Sequence, residues 1–413
     1  MRRLFKCLLV VVATAAVVLA GAGVLKASTA TLRHVSGAQT FTVNVDGSNP
    51  KANQTFLAYY PDVVRVHAGD TVVFHEVGNG EPHTATLGTL ANNAVAAFAK
   101  LSAAQQNNPP ASALKADAKL PGLFPQGPGD AVQASANPCY LGAGVVPSSK
   151  APCAQTSPTA FNGSQSFYNS GWLDSNARFT VHLSSSTPPG TYRYLCLLHR
   201  EGMSGTIIVV PSSKSVPSPS AQSALGRKQL AAAEAQAGPI VGVVRQGLQA
   251  LAAAKHVKLP ASVTAGTAPV LAGGPAGIDE YGPKTVKIPV GGSVTWYLLG
   301  PHSITFNSTK ANNDIRRVAP DGTVHINSAA IAPAGGPGEP GRPPTGGSQA
   351  HPKLVVVART TWNGSGFLNS GVFGNSHGPP TIEGYRITFT RAGTYRYLCT
   401  VHDHMKGTIV VGG

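Results

Sequence analysis

The sequence predicts an all-β protein made of two similar domains joined by a partly helical linker. Three observations lead to this prediction: the composition, the length and an internal repeat. Charged residues make up only 12%, whereas Gly (47) and Pro (33) are abundant, and Val, Thr and Tyr recur in short runs typical of strands joined by turns. A chain of 413 residues exceeds what one small domain normally uses, so size alone favours two domains.

The internal repeat is a heptapeptide that occurs twice, letter for letter. Residues Gly190–Cys196 and Gly393–Cys399 both read GTYRYLC. In each copy two residues separate the Cys from a His, and a Met, Gly-Thr-Ile and Val follow, which predicts a strand, a tight loop and a closing strand. Earlier segments also correspond, namely 67–74 with 289–296, Pro82-His83-Thr84 with Pro301-His302-Ser303, and 161–164 with 362–365.

The repeat divides the chain into four regions. These are a signal peptide or membrane anchor (1–27), a first domain (38–211), a linker (212–276) and a second domain (277–413). The linker starts Pro/Ser-rich and extended, then turns Ala-rich, which predicts two short helices with a break at Gly238-Pro239. Each domain carries a long insertion between its upstream His and its Cys, 87–160 and the Gly/Pro-rich 307–361, which we expect to form surface loops.

The N-terminus has the pattern of an export signal. Arg2, Arg3 and Lys6 precede an uncharged stretch from Cys7 to Leu25. We therefore expect an extracytoplasmic protein that is secreted, periplasmic or, since the stretch is nearly long enough to span a bilayer, tethered to the membrane. The net charge of +15 comes from a shortage of acids (17) and not from a dense basic run, so we expect no nucleic-acid binding.

The four cysteines outside the N-terminal stretch predict two different uses. Cys139 and Cys153 are each preceded by Pro in a loop-like region, which indicates a local disulfide in an oxidising compartment. Cys196 and Cys399 end predicted strands beside His and Met. Their surroundings favour metal binding over a second disulfide.

Two sets of side chains have the chemistry of a metal site. We call His83, Cys196, His199 and Met203 the first site, and His302, Cys399, His402 and Met405 the second site. Two imidazoles, a thiolate and a weak thioether form the ligand set of a trigonal type 1 copper site, whereas zinc sites do not use Met. A lone Met usually fills a gap in a core, but the only two Met besides Met1 both follow Cys-x-x-His, so ligation is the better interpretation.

These motifs resemble the cupredoxin family, the plastocyanin and amicyanin branch in particular. The resemblance implies a Greek-key β-sandwich in each half, one type 1 copper per domain that cycles between Cu(I) and Cu(II), and single-electron transfer with redox partner proteins of the cell envelope. The His-to-Met step is four residues in the first loop and three in the second, which is closer to the amicyanin-like spacing. The Pro that often precedes the loop His in this family is replaced by Leu198 and Val401.

Other copper functions use similar ligands. Multicopper oxidases place His on both sides of the Cys, whereas Cys196 and Cys399 are flanked by Leu and Thr only, and no His-x-His pair occurs in the upstream strands. We therefore expect an electron carrier and not a copper oxidase or reductase. Copper sequestration or delivery stays open as an alternative because it uses the same ligands. A binuclear copper site needs two Cys in one loop, and each loop has one.

The two sites are expected to differ in reduction potential. Their loops differ in length by one residue, and the axial ligand is one of the groups that tune such a site. The second loop also contains His404, which we expect to face solvent. His67 and His75 have no counterpart in the second copy and are expected to be surface or packing residues.

Overall fold

The fold is known from a computed structural model. It describes residues 37–49, 54–78, 81–102, 105, 109–123, 135–142, 144–147, 153, 159–253, 262–267, 276–298, 301–309, 314–331, 333–334, 353–372, 381–402 and 404–412. The predicted signal or anchor (1–27) lies outside these residues, as does most of the Gly/Pro-rich part of the second insertion.

The first half of the chain forms a sandwich of two sheets. Its strands are β1 (Thr40–Val45), β2 (Ser48–Asn49), β3 (Gln54–Phe56), β4 (Tyr59–Tyr60), β5 (Val63–Val66), β6 (Thr71–Glu76), β7 (Thr86–Leu87), β8 (Cys139–Leu141), β9 (Phe167–Asn169), β10 (Arg178–His182), β11 (Gly190–Cys196) and β12 (Arg200–Val209). One sheet has the order β10-β6-β1-β4 and the other β5-β12-β11-β7-β9-β8, so the chain crosses repeatedly between them. Strand β2 and its partner β3 lie outside both sheets.

Alternating apolar residues hold this sandwich together. Every second side chain of β1 and β6 is buried, including Phe41 and Phe74, because successive residues of a strand point to opposite faces. The ring of Phe74 meets that of Tyr194 from the opposite sheet edge-on, with centroids 4.9 Å apart. The core therefore lies between the two sheets.

The second half repeats the arrangement. Its strands are β13 (Ser262–Thr267), β14 (Ala276–Gly282), β15 (Thr285–Pro289), β16 (Ser293–Leu298), β17 (Thr305–Phe306), β18 (Arg316–Val318), β19 (Val324–Ile326), β20 (Pro333–Ala334), β21 (Lys353–Trp362), β22 (Leu368–Ser370), β23 (Thr381–Phe389), β24 (Gly393–Leu398) and β25 (Lys406–Gly412). The sheets have the orders β2-β3-β14-β13-β16-β23-β21 and β15-β25-β24-β17-β22-β20, and β18 pairs with β19. Trp296, Phe306 and Phe389 are fully buried between them.

The two sandwiches are joined by backbone pairing and by a shared core. Strand β3 of the first half pairs antiparallel with β14, so a hairpin of one half completes a sheet of the other. The side-chain amide of Asn137 both donates to the carbonyl of Val324 (3.1 Å) and accepts from its N–H (2.8 Å). Leu197 of the first half belongs to the same apolar cluster as Trp296 of the second. The predicted all-β fold of two sandwiches with a partly helical linker is confirmed.

The linker departs from the prediction in one respect. The helices are α1 (Thr89–Phe98), α2 (Ala111–Asp117), α3 (Pro219–Ala253) and α4 (Ser328–Ile331). The linker thus forms one helix that continues through Gly238-Pro239, because the Ala-rich sequence favours the helix on both sides. Helix α3 packs on β1 and β4, and Gly226 lies so close to the β4 turn that a Cβ there would be 2.7 Å from Pro61 N.

The insertions are more structured than predicted. The first contributes α1, α2 and β8, and β8 extends a sheet of the first sandwich. The predicted disulfide between Cys139 and Cys153 is present and ties β8 to a later part of the insertion. The second insertion contributes α4 and strands β18 to β20. Among the described residues, no helix combines the length and the apolar character needed to cross a bilayer.

Candidate metal centres

The first site is assembled by two adjacent strand ends. Cys196 is the last residue of β11, and His199 lies in the short turn that leads into β12, on which Met203 follows. His83 comes from the loop before β7 and is held by backbone hydrogen bonds in both directions with Leu173. The turn and the remote loop therefore converge at one end of the sandwich.

The ligand atoms of the first site lie within bonding range of one metal ion. Cys196 Sγ is 3.8 Å from His83 Nδ1, and the ligand atoms of His83, Cys196 and His199 all lie within 4.8 Å of one another. His83 and Cys196 are fully buried. His199 Nδ1 is buried and has no hydrogen-bond partner among the described residues, as expected for a nitrogen that coordinates a metal.

The second site has the same arrangement. Cys399 Sγ lies 3.9 Å from His302 Nδ1 and 3.6 Å from His402 Nδ1, and the two Nδ1 atoms are 3.0 Å apart. All three residues are at most 3% exposed, so a bound ion would be shielded from bulk water. The sequence-predicted His and Cys residues of both sites are thus brought together.

These separations fit a trigonal metal ion. Metal–sulfur and metal–nitrogen bonds of about 2.3 and 2.0 Å at trigonal angles place sulfur and nitrogen roughly 3.8 Å apart. The sulfur–nitrogen distances of 3.6 to 3.9 Å agree with this expectation. The thiolate and imidazole donors are those of a type 1 copper site.

Both Met residues lie in the cores beside the sites. Met203 is fully buried and Met405 is 1% exposed. The N–H of Met405 donates to the carbonyl of His402 and its own carbonyl accepts from the N–H of Cys399, both at 3.0 Å, which closes the second loop around the site. Both residues are therefore placed on the ligand loops, and their role as axial ligands stays a prediction.

Neighbouring groups lower the pKa of each thiol. The N–H of Thr84 donates to Cys196 Sγ and that of Ser303 to Cys399 Sγ, both at 3.4 Å. Burial opposes ionisation of Cys196, but the adjacent imidazoles of His199 and His83 outweigh it and hold the pKa of the thiol well below its ordinary value. The same holds for the pKa of Cys399, where burial is outweighed by His302 and His402. Both thiols therefore favour the thiolate that binds a metal.

Behind His83 lies a pair of buried acids that the sequence analysis missed. Asp46 Oδ2 is 3.3 Å from His83 Nε2, on the ring edge opposite Cys196, and Asp46 is 0% exposed. Glu76 is 1% exposed and shares a cluster with both. Burial raises the pKa of Glu76 to about 8, so Glu76 is mostly protonated at neutral pH. A carboxylate in the position of Asp46 fixes the orientation of a ligating histidine.

A second missed acid lies between the two sites. Glu81 Oε1 accepts a hydrogen bond from His199 Nε2 (2.8 Å), and Glu81 Oε2 is 3.6 Å from His402 Nε2. Asp279 Oδ1 lies 3.6 Å from the same His402 nitrogen. Burial opposes protonation of His199, yet Glu81 raises its pKa to about 9. The one signal for Glu81 in the sequence is its place before Pro82-His83, where the second copy has Gly300.

The remaining histidines have other contacts. His404, predicted to face solvent, is 21% exposed, with Nε2 3.8 Å from Asp279 Oδ2. His67 is a packing residue whose Nε2 contacts the carbonyl of Lys214 at 2.7 Å. His75 lies on β6 with its ring directed away from both sites, since β6 buries its alternate residues.

Comparison with solved structures gives matches to small copper proteins. The chain is similar to auracyanin from the photosynthetic bacterium Roseiflexus castenholzii (20% identity, 42% of this chain and 100% of that chain, TM-score 0.22). It is also similar to auracyanin B (19%, 44% and 94%, 0.21) and to an amicyanin variant in its reduced Cu(I) form (21%, 39% and 90%, 0.18). No family model and no curated protein sequence matches the chain. At these identities and TM-scores the function has to be inferred from the residues of the chain itself.

Proposed function

We propose that the protein is an exported electron carrier that binds one type 1 copper at each of its two sites. The observation that carries this proposal is the duplicated His–Cys–His constellation, whose sulfur–nitrogen separations of 3.6 to 3.9 Å suit a trigonal ion. In the first site His83 and His199 supply Nδ1, Cys196 the thiolate and Met203 the axial thioether. In the second site His302, His402, Cys399 and Met405 have the same roles.

Burial favours electron transfer over catalysis. The His and Cys ligands of the second site are at most 3% exposed, and His83 and Cys196 are fully buried. A buried ion whose fourth position is filled by Met has no open position for a substrate, unlike a catalytic metal site with three protein ligands. Copper when bound supplies a reversible one-electron change, and the packed ligands keep their positions during it. We propose no oxidase or reductase turnover.

The disulfide supports export. Cys139 and Cys153 are paired with Cα atoms 4.9 Å apart, and such bonds persist in oxidising compartments outside the cytoplasm. The proposed partners are accordingly redox proteins of the cell envelope.

The test is copper loading of the full chain and of two matched variants. Cys196→Ser and Cys399→Ser should each remove about half of the intense thiolate-to-copper absorption per protein, because each variant loses one of two thiolates. The double variant should be colourless but still folded by circular dichroism. If one single variant loses all colour, only one site binds copper in this way. Oxygen uptake with phenolic donors that disappears in the Cys→Ser variants would contradict the electron-carrier proposal.

A further inference from the structure

The outer ring edges of the two loop histidines meet at one buried carboxylate. Glu81 Oε1 is 2.8 Å from His199 Nε2, and Oε2 is 3.6 Å from His402 Nε2. Both histidines turn the opposite ring nitrogen, Nδ1, toward their own site: that of His402 is 3.6 Å from Cys399 Sγ, and that of His199 is buried without a partner. One side chain therefore connects a ligand of the first site with a ligand of the second.

We propose that the two coppers exchange electrons directly within one molecule, along the path His199–Glu81–His402. This proposal rests on the proposed function, since it requires copper in both sites. An electron leaves Cu(I) in one site and reduces Cu(II) in the other. No covalent bond forms or breaks, and the Nε2 protons stay on the two imidazoles as donors to the carboxylate.

The surroundings of Glu81 suit a path of this kind. Its side chain is 5% exposed, so little water competes for the hydrogen bond with His199 or for the contact with His402. In a buried environment a hydrogen bond with a charged partner is short and strong. The two carboxylate oxygens face different rings, since Oε1 is next to His199 Nε2 and Oε2 is next to His402 Nε2.

The contact between the halves is fixed by the fold. The pairing of β3 with β14 and the reciprocal hydrogen bonds of Asn137 with Val324 hold the sandwiches at a set separation. Leu197, next to Cys196, and Val401, next to His402, lie in one apolar cluster that spans both halves. The path is thus set in a packed interface, where little reorganisation accompanies a change of charge.

A role confined to one histidine does not account for this geometry. An acid that only oriented one loop histidine would contact one ring, as Asp279 does at His402 (3.6 Å). Glu81 Oε1 and Oε2 instead lie 2.8 and 3.6 Å from two rings that belong to different sites. The single carboxylate between both rings is explained by a connection between the sites.

The test measures electron transfer inside the copper-loaded full chain. Met405→Gln serves as the common background, since a changed axial ligand alters the second site and makes the two spectra distinguishable. A light pulse with a photoreductant introduces less than one electron per molecule, and the redistribution between the sites is followed by absorption. We expect a first-order phase whose rate does not depend on protein concentration.

Two variants and one control then examine Glu81. Glu81→Gln keeps the reach but loses one acceptor oxygen, and Glu81→Asp keeps the charge but shortens the reach. Each should slow the first-order phase roughly tenfold at equal driving force, because one charge-assisted hydrogen bond of the path is lost. Asp174→Asn is the control: it alters a carboxylate that pairs with Arg316 of the other half but lies outside both ligand sets, so the rate at equal driving force should stay unchanged.

The outcomes separate this proposal from the proposed function. Redistribution that occurs only between molecules, with a rate proportional to protein concentration, overturns the path even if both sites are blue. An unchanged rate in a Glu81 variant that retains both coppers also overturns the proposed path. Failure of the unmodified protein to bind two type 1 coppers contradicts the proposed function instead.

Discussion

The buried histidines of the two sites have different groups behind them. His83 has Asp46 at 3.3 Å and Glu76 in the same cluster, all three inaccessible to solvent. In the second half the register of β16 with β13 places Leu298 where β6 has Glu76, and Gly266 follows at the position of Asp46. The donor atoms are therefore duplicated, whereas the charges around them are not.

This difference separates the contacts that are present in both halves from those that are present in one half only. Thr84 and Ser303 donate to their Cys sulfur at the same 3.4 Å, and Tyr59 and Tyr281 donate to the carbonyls of those two residues at the same 2.5 Å. These contacts set ligand positions, which any such site needs. The acids would instead set the free energy of a bound copper ion, and that free energy can differ between the halves.

The largest expected effect comes from giving the second half the acid of the first. Leu298→Glu places a carboxylate in a position that is 1% exposed and lies opposite the buried Glu383 of β23. Burial of an uncompensated polar group should lower the free energy of unfolding by about 3 kcal/mol. Urea unfolding followed by tryptophan fluorescence, to which Trp296 on the same strand contributes, measures this loss.

The control for that experiment is Leu298→Met, which conserves volume and should cost less than about 1.5 kcal/mol. Equal stability of Leu298→Glu and the unmodified protein would show that an acid at this position needs no partner. The contrast between the halves would then have no energetic meaning.

A smaller effect is expected from removing the charge behind the first site. Asp46→Asn leaves an amide oxygen for His83 but no negative charge, so Cu(II) loses stabilisation and the potential of the first site should rise. The loss of a buried negative charge 3.3 Å from His83, about 2 kcal/mol, corresponds to roughly 90 mV for one electron. Redox titration in a Cys399→Ser background reports the first site alone.

Glu76→Gln is the matched control for Asp46→Asn. Burial raises the pKa of Glu76 to about 8, so at pH 7 the substitution replaces a neutral acid with a neutral amide and should shift the potential much less. A larger shift of the potential for Glu76→Gln than for Asp46→Asn at pH 7 would contradict the prediction that Asp46 has the larger effect.

The smallest expected effect is the pH dependence of copper uptake by the apo-protein at the first site. Burial opposes protonation of His199, but Glu81 raises its pKa from 6.5 to about 9, so near pH 7 copper has to displace a proton. Affinity should fall about tenfold for each pH unit below 9. The same shift stabilises the folded apo-protein below pH 6.5, and this contribution is lost as the pH rises through 9.

Calorimetric copper titrations of the Cys399→Ser variant, in buffers of different ionisation enthalpy, count the protons released at pH 7. An affinity that stays constant between pH 7 and pH 9 would contradict the raised pKa of His199. Glu81→Gln should reduce the pH dependence, because it removes the charge that holds the proton.

The candidate ligands could be predicted from the sequence because they belong to a repeat. The Cys-x-x-His spacing and the Pro-His motif of His83 recur in the second copy, so the convergence of these side chains follows from a duplicated strand and loop. Glu81 and Asp46 could not be predicted in this way, since neither recurs and each acts on a residue distant in sequence. A contact between two halves depends on how they pack, and no local pattern encodes it.

Helix α3 shows the same limit at the level of secondary structure. Gly238-Pro239 is a local break signal, and the prediction of two helices followed it. The helix instead runs through it, while its first turns pack on β1 and β4. Tertiary contacts and the Ala-rich flanks thus outweighed a local preference.

The hairpin of β2 and β3 also has a consequence for biosynthesis. Its partner β14 lies beyond the linker, so during synthesis the hairpin is complete long before the strand that covers its edge emerges. An open strand edge is a template for pairing with another chain. A cut between the halves would expose that edge in one fragment and the edge of β14 in the other. The interface that fixes the distance between the metal sites thus also makes the two halves a single unit of folding and quality control.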